Sequence, residues 1–175
     1  MPTSPSQRLA TIDDLLLYRL SQLSGAAGAM VVRLCEGRHG VTRREWSVVA
    51  QLHAQPGMLP SELAERMQRD RARTSRTISA LLQKGLIERI TLPHDRRSAR
   101  VSLTAAGQAL YAQLMPEVQA INAQLVEVLS PAEVAAFDEA LARVYQQAQT
   151  MQGEWGPVLP KANRRRGRGA SEAVD

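Results

Sequence analysis

The sequence is poor in aromatic residues and cysteine, and it contains no long apolar run. Only 3% of its 175 residues are aromatic, so we expect a core of Leu, Val, Ile, Ala and Met. The single cysteine, Cys35, has no partner for an internal disulfide. No apolar run approaches the roughly 20 residues that span a bilayer, and the first residues lack the basic start and apolar block of a secretion signal. We therefore expect a cytoplasmic protein with no membrane partner.

Signals for catalysis and for metal binding are also missing from the sequence. There is no phosphate-binding loop, no nucleophile motif and no recognisable acid/base pair. The three histidines, His39, His53 and His94, are scattered and lack paired cysteines or clustered carboxylates at ligand spacing. We expect neither an enzyme nor a protein with a resident metal or cofactor.

Basic charge is abundant and is concentrated in the middle of the chain. Residues 43–100 hold 12 Lys/Arg against 6 Asp/Glu, whereas residues 101–160 hold one Arg against 6 acidic residues. The net charge of the whole chain is +5. Because a phosphate backbone attracts such a basic segment, this distribution favours a nucleic-acid partner for the middle of the chain.

The stretch 69–103 carries most of the information about function. It predicts a helix over 70–84, capped by Asp70 or a neighbour and ended by Gly85, and then two strands joined by a basic tip at 93–98. If Ile78 faces the core, the opposite side of the helix presents Arg69, Arg73, Arg76 and Thr77. Arginine supplies forked donors for guanine edges or phosphates. A solvated surface is the plainer interpretation, but arginines on both the helix and the hairpin favour DNA contact.

Long helices with narrow apolar stripes are predicted on both sides of this stretch. One runs from about Thr11 to Glu36, one follows Thr104, and one follows Ser130. The stripes are either internal core or a dimer seam, and a winged helix of residues 43–103 alone offers too little surface to cover them. We therefore expect a flexible N-terminus at 1–10, dimerisation helices at 11–42 and 104–152, a DNA-binding domain at 43–103, and a disordered basic tail at 153–175.

This order of elements resembles the multiple-antibiotic-resistance regulator (MarR) family over about residues 10–150. The resemblance is sharpest in the segments SELAERM, TSRTISALLQKGLI and DRRSARVSLTAAGQAL. The last segment matches the family's Asp-x-Arg…Leu-Thr-x-x-Gly pattern through Asp95, Arg97, Leu103, Thr104 and Gly107. The implied fold is mainly α with a small β-hairpin wing, a winged helix-turn-helix embedded in a helical dimerisation domain.

The resemblance also implies a function, that of a homodimeric transcriptional regulator, and we expect a repressor. Helix 70–84 would enter the major groove and Arg97 the minor groove, with Asp95 holding an arginine in place. Two copies would read a pseudo-palindromic operator. Arg69 and Thr74 depart from the family's usual aliphatic residues, so base preference does not transfer. The expected DNA-binding residues are Arg69, Arg71, Arg73, Thr74, Ser75, Arg76, Thr77, Asp95, Arg96 and Arg97.

Members of this family often bind small aromatic carboxylates or phenols in a cleft between the first, second and fifth helices. In that zone the candidate ligand-binding residues are Arg19, Ser24, His39 and Trp46. Arg19 would pair with a carboxylate and Trp46 would stack on a ring. The plainer interpretation makes Arg19 a surface residue, His39 a loop residue and Trp46 part of the core.

A thiol-based redox sensor acting through Cys35 is the alternative regulator. Arg33 and Arg38 are close in sequence and favour a thiolate, whereas a lone cysteine is more often a small apolar core residue.

Overall fold

The computed structural model describes residues 11–68, 70–92 and 95–160, and for residues 91, 92 and 95–98 it describes the backbone alone. The described ranges are mainly helical with one two-stranded hairpin, which confirms the predicted fold class. The elements, in chain order, are α1 (Leu16–Arg38), α2 (Arg43–Ala54), α3 (Pro60–Arg66), α4 (Arg71–Gln83), β1 (Ile87–Leu92), β2 (Asp95–Leu103), α5 (Ala105–Val126) and α6 (Pro131–Trp155). The chain divides into two compact units between Leu125 and Val126, so that α6 belongs to the second unit.

Two of the helices begin at capping boxes that the spacing Thr42-x-x-Glu45 and Ser130-x-x-Glu133 predicts from the sequence. The hydroxyl of Thr42 accepts a hydrogen bond from the Glu45 amide at 3.1 Å, and the Glu45 carboxylate accepts from the Thr42 amide at 2.6 Å. Ser130 and Glu133 form the same pair of bonds at the start of α6. These bonds satisfy amides that have no partner within the helix.

The first helix begins later than the sequence predicts. The Asp14 carboxylate accepts from the Thr11 amide at 2.9 Å and closes a 3-10 turn, Ile12–Asp14. α1 therefore begins at Leu16 instead of Thr11.

The core of the first unit lies where α2, α3, α4 and the hairpin meet the ends of α1 and α5. It is almost wholly aliphatic, as the composition predicts, with one tryptophan at its edge. Its most deeply buried members are Cys35, Val48, Val49, Leu52, Leu63, Ile78, Leu81, Val101 and Leu114.

The hairpin is longer, and its tip shorter, than the sequence predicts. The strands are antiparallel and pair in regular register from Ile87↔Leu103 to Thr91↔Ala99. The next pair is Leu92↔Asp95, so residues 96–98 are extra residues on β2 at an irregularity of the ladder. The predicted tip of 93–98 is therefore wrong: β2 already begins at Asp95, because a bulge accommodates three residues without ending the strand.

The joint between the hairpin and α5 explains why the sequence has Leu-Thr-x-x-Gly at this point. The Thr104 hydroxyl donates to the Gly85 carbonyl at 2.7 Å and accepts from the Gly107 amide at 3.1 Å. A Cβ at position 107 would overlap the Leu86 carbonyl oxygen and would lie 3.1 Å from its carbon. Only glycine fits here without moving backbone, so the turn after α4 is seated directly on the first turn of α5.

In the described part of the second unit, α6 is a long helix with an exposed apolar stripe. α6 has no buried residue in the described part of the chain, and its stripe stays largely exposed at Phe137, Leu141, Val144 and Met151. None of the helices within the described ranges is sufficiently long and apolar to cross a membrane.

Candidate nucleic-acid interface

α4 is held with one face in the core and the other in solvent. The Asp70 carboxylate caps it by accepting from the Arg73 amide at 3.1 Å. Thr74, Ile78 and Leu81 are buried, and they recur on one side at intervals of three and four residues. This periodicity leaves the opposite face free of packing.

The exposed face of α4 carries the expected basic side chains. Arg71, Arg73, Ser75 and Arg76 are exposed, and Thr77 is half-buried. The Thr77 hydroxyl donates to the Arg73 carbonyl at 3.1 Å, which fixes its rotamer along the helix. Within the described residues, these arginines have no carboxylate within ion-pair distance, so their guanidinium groups remain available to an outside anion.

Thr74 does not belong with this face. Its side chain is 3% exposed and its hydroxyl donates to the Asp70 carbonyl at 3.1 Å, inside the first turn of α4. Thr74 was expected to bind DNA, but its burial leaves it unable to contact DNA. Its position 40° from Ile78 on the helical wheel places it with the core.

Four of the expected DNA-binding residues have no described side chain. Arg69 lies outside the described residues. For Asp95, Arg96 and Arg97 the backbone alone is described, at the irregular end of the hairpin. Their contacts with DNA remain predictions.

An ion pair between Lys84 and Glu45 fixes the C-terminal end of α4 against the start of α2. Lys84 Nζ donates to Glu45 Oε2 at 2.8 Å and to the Gly40 carbonyl at 2.9 Å. Burial by itself raises the pKa of the Glu45 carboxyl, but the bonds from Lys84 and Thr42 and the charge of Lys84 hold that pKa below its ordinary value. Glu45 is therefore a buried anion that organises both helices.

The hairpin is anchored to the turn between α2 and α3. The Val101 amide donates to the Met58 carbonyl at 2.8 Å, and the Gly57 amide donates to the Ser102 hydroxyl at 2.9 Å. Arg100 Nη1 donates to the Gly57 carbonyl at 2.7 Å. Met58 and Val101 form an isolated antiparallel bridge. These bonds fix the base of the hairpin relative to the turn between α2 and α3.

Arg44 is a basic residue of this surface that sequence reasoning missed. A depression of about 450 Å³ lies between the first turn of α2 and the exposed face of α4, and Arg44, Arg73, Arg76 and Thr77 are among the residues that line it. The capping box predicts where α2 begins, but it does not indicate that the first turn of α2 lies beside α4, which is far away in sequence. Only the fold brings Arg44 to α4.

The four candidate ligand-binding residues do not form one site. Ser24 lines an open apolar groove of about 320 Å³ between α1 and α5, whereas the other three do not line it. Arg19 is exposed. His39 Nε2 lies 2.9 Å from a carboxylate oxygen of Glu117, so that its ring ties the end of α1 to α5.

Trp46 has a structural place in the core instead of lining the groove. It is 6% exposed, and its ring stacks on Tyr111 of α5 with 5.6 Å between centroids. Tyr111 also stacks on His53 at 3.6 Å. The aromatic residue expected to hold a ligand is therefore already occupied by protein rings.

The groove has its own basic residue, Arg43, which the sequence did not single out. The Arg43 guanidinium packs over Gly28, since a Cβ at that position would lie 2.5 Å from its Nη1. Gly28 is buried and has no side chain, and this makes room for the guanidinium between α1 and the groove.

Cys35 is fully buried in the core. Burial raises the pKa of its thiol, the carboxylate of Glu36 raises it further, and the charge of Arg43 opposes them only in part. A buried thiol with a raised pKa is a poor nucleophile, so the structure gives no support to the redox alternative. Among the described residues, no cluster of three or more His, Cys, Asp or Glu is placed to hold a metal.

Comparison with known proteins agrees with this geometry. The model of the MarR family matches residues 41–99, which span α2 to the middle of β2. The HTH-type transcriptional repressor MdtR of Bacillus subtilis is 30% identical over 132 residues, covering 75% of this chain and 80% of that protein. The multiple antibiotic resistance protein MarR of Escherichia coli is 29% identical over 105 residues, covering 59% of this chain and 73% of that protein.

A solved structure shares the fold. The crystal structure of a mutant of Escherichia coli MarR in complex with operator DNA superposes with a TM-score of 0.64 and 24% identity. It covers 77% of this chain and 99% of that one.

The fold and its basic face define a DNA-binding transcriptional regulator of the winged helix-turn-helix class. An exposed basic helix, an anchored hairpin and long flanking helices occur here in the order that this class requires. The chain belongs to the MarR family.

Proposed function

We propose that this regulator is a homodimeric repressor that acts in the cytoplasm and reads a pseudo-palindromic operator. α4 enters the major groove and the hairpin wing the minor groove. The observation that carries this proposal is the exposed arginine face of α4, opposite a face that is fully packed. The complex of the related MarR with operator DNA supports it.

Footprinting of the DNA upstream of its own gene tests the reading of DNA. We expect a protected site with two-fold symmetry and half-sites about one helical turn apart. Arg97→Ala should weaken operator binding by at least about tenfold at fixed salt without lowering the melting temperature, since a good arginine contact contributes about 1–3 kcal/mol. Binding at an asymmetric site, or an unchanged affinity of this variant, argues against the proposed arrangement.

Homodimerisation through residues 11–42 and 104–152 is proposed from uncovered apolar surface. α1 exposes Leu16, Leu17, Leu23 and Met30, and α6 exposes four residues of one stripe. Patches of this kind on a folded protein mark interaction surfaces. Symmetric operators also call for symmetric proteins. Analytical ultracentrifugation at micromolar concentration should show a dimer, and a monomer would overturn this part.

The proposed effector is a small aromatic carboxylate or phenol that releases the DNA. The groove between α1 and α5 supports this class because its wall is mostly apolar, with Ser24, Asn122 and Arg43 as its polar members. Its volume of about 320 Å³ is at the small end of ligand sites. Ser24 is the one candidate from the sequence that remains, and Arg43 takes the place proposed for Arg19.

A thermal-shift screen of hydroxybenzoates, hydroxycinnamates and neutral phenols tests the effector. Acids that raise the melting temperature should lower operator affinity, because a ligand of the unbound form stabilises it at the expense of the complex. Arg43→Gln should abolish the shift by acids and spare the shift by phenols. If no compound shifts melting or DNA binding, the proposed effector class is wrong.

A further inference from the structure

The depression between α2 and α4 concentrates positive charge at the edge of the exposed face of α4. Arg44 approaches it from the first turn of α2, and Arg73 and Arg76 approach it from α4. Two helices that are distant in sequence thus bring three guanidinium groups to one concavity. The positive potential of such a cluster attracts an anion.

The one acidic residue in the depression does not neutralise this cluster. The Glu45 side chain is 5% exposed, and its carboxylate is already bonded to Lys84 Nζ at 2.8 Å and to the Thr42 amide at 2.6 Å. In the part of the chain that the structure describes, no carboxylate lies within ion-pair distance of Arg44. The amides at the start of α2 add further positive potential, equivalent to about half a charge.

The shape and position of the depression select the anion. It is a shallow surface site of about 450 Å³ directly beside the exposed face of α4. A helix seated in a major groove is flanked by the phosphates of the groove edge, so a basic depression beside that helix faces the DNA backbone. Guanidinium groups bind phosphate oxygens in pairs.

We propose that Arg44, together with Arg73 and Arg76, binds a backbone phosphate of the operator and positions α4 in the groove. The first turn of α2 is then a third DNA contact, separate from the base-reading part of α4 and from the wing. This inference rests on the proposed DNA-binding function. It also assigns adjacent arginines to different tasks, since Arg43 packs over Gly28 on the side of α1 and does not line the depression.

The test measures the affinity of the full-length protein for two duplexes of equal length, its operator and a scrambled sequence, across a series of salt concentrations. Arg44→Gln should weaken binding to both duplexes by a similar factor, on the order of tenfold at low salt. It should also lower the slope of log K against log salt by about 0.9 per protomer, because one phosphate contact is lost from each. Arg44→Lys should restore most of the slope, since it keeps the charge.

Arg33→Gln is the matched control, because Arg33 is an exposed arginine on α1 that does not line the depression, and its substitution removes the same charge. It should leave the slope unchanged. Equal melting temperatures of the variants and the parent protein show that the comparison concerns binding alone.

Three results would overturn the inference. One is an unchanged salt slope in Arg44→Gln while the parent protein binds its operator normally. Another is a loss restricted to the operator, which indicates a base contact. The third is that inorganic phosphate at constant ionic strength raises the melting temperature of the parent protein but not of Arg44→Gln, while the salt slope of this variant is unchanged. That result indicates a site for free anions. If the parent protein fails to bind the operator, the proposed function itself fails.

Discussion

The close packing at the joint between the hairpin and α5 predicts that alanine destabilises the protein at Gly107 but stabilises it at Gly37. Gly107→Ala places a Cβ against the carbonyl group of Leu86, and the contact is with backbone that is itself bonded to the Thr104 amide at 3.1 Å. No side-chain rotation relieves it. Either the turn after α4 or the first turn of α5 must move.

The cost follows from what such movement disrupts. Overpacking of a well-fitted site costs about 1–3 kcal/mol, and alanine recovers about 0.5–1 kcal/mol through its better helix propensity. A net loss of about 1–2 kcal/mol lowers the melting temperature of a chain of this size by about 2–8 °C. Operator affinity should fall as well, because the joint fixes the wing relative to the rest of the domain.

Gly37→Ala is the control for this prediction. Gly37 lies in the last turns of α1, its φ is negative, and a Cβ there meets nothing within 4 Å. The same change should therefore stabilise the protein by up to about 1 kcal/mol. Differential scanning calorimetry at fixed protein concentration measures both. A melting temperature of Gly107→Ala equal to or above that of the parent protein would refute the close packing described for the joint.

Three further predictions concern other parts of the chain. The bonds to Glu45 hold its pKa below the ordinary value, so this carboxylate stabilises the fold above its unfolded pKa and loses that effect as pH falls through the folded pKa. Glu45→Gln should therefore be less stable than the parent protein near neutral pH and should lose less stability during acid titration. Urea unfolding at a series of pH values measures this, and an equal pH dependence of the two free energies of unfolding would contradict it. In the presence of peroxide, Cys35→Ser should regulate a reporter gene as the parent protein does. A peroxide response that the parent protein shows and Cys35→Ser lacks would restore the redox alternative. Leu141→Lys should weaken the dimer at least about tenfold by sedimentation, because burial of leucine contributes about 1.5–3 kcal/mol, whereas an unchanged dissociation constant would place the interface elsewhere.

The sequence predicts best where the signal is local. The capping box at Thr42 and the periodicity around Ile78 depend on residues within one or two turns, and both are confirmed. The same periodicity argued against Thr74 as a DNA contact, since it placed that residue beside Ile78. The position of Asp14 in a 3-10 turn was missed because a short turn and a helix N-terminus share the same capping residues.

The candidate ligand site was predicted poorly because it depends on tertiary contacts. Trp46 is engaged by Tyr111, more than sixty positions away, and His39 is engaged by Glu117. Arg43 reaches the groove only because Gly28 on another helix leaves space for it. No pattern within a single segment indicates such pairings, and the structure does not bring the four candidate positions together.

The close packing of backbone at Thr104 and Gly107 has a consequence for how movement reaches the wing. The turn after α4 is seated on the first turn of α5, so the hairpin base is fixed to the N-terminal part of this helix, which has Pro116 in its interior. α5 has 22 residues and is therefore about 33 Å long at 1.5 Å per residue, so a tilt of about 5° displaces its far end by roughly 3 Å. The groove is lined by Val118 and Ile121, well along that helix. We therefore expect a small molecule that moves α5 away from α1 to rotate the wing as well.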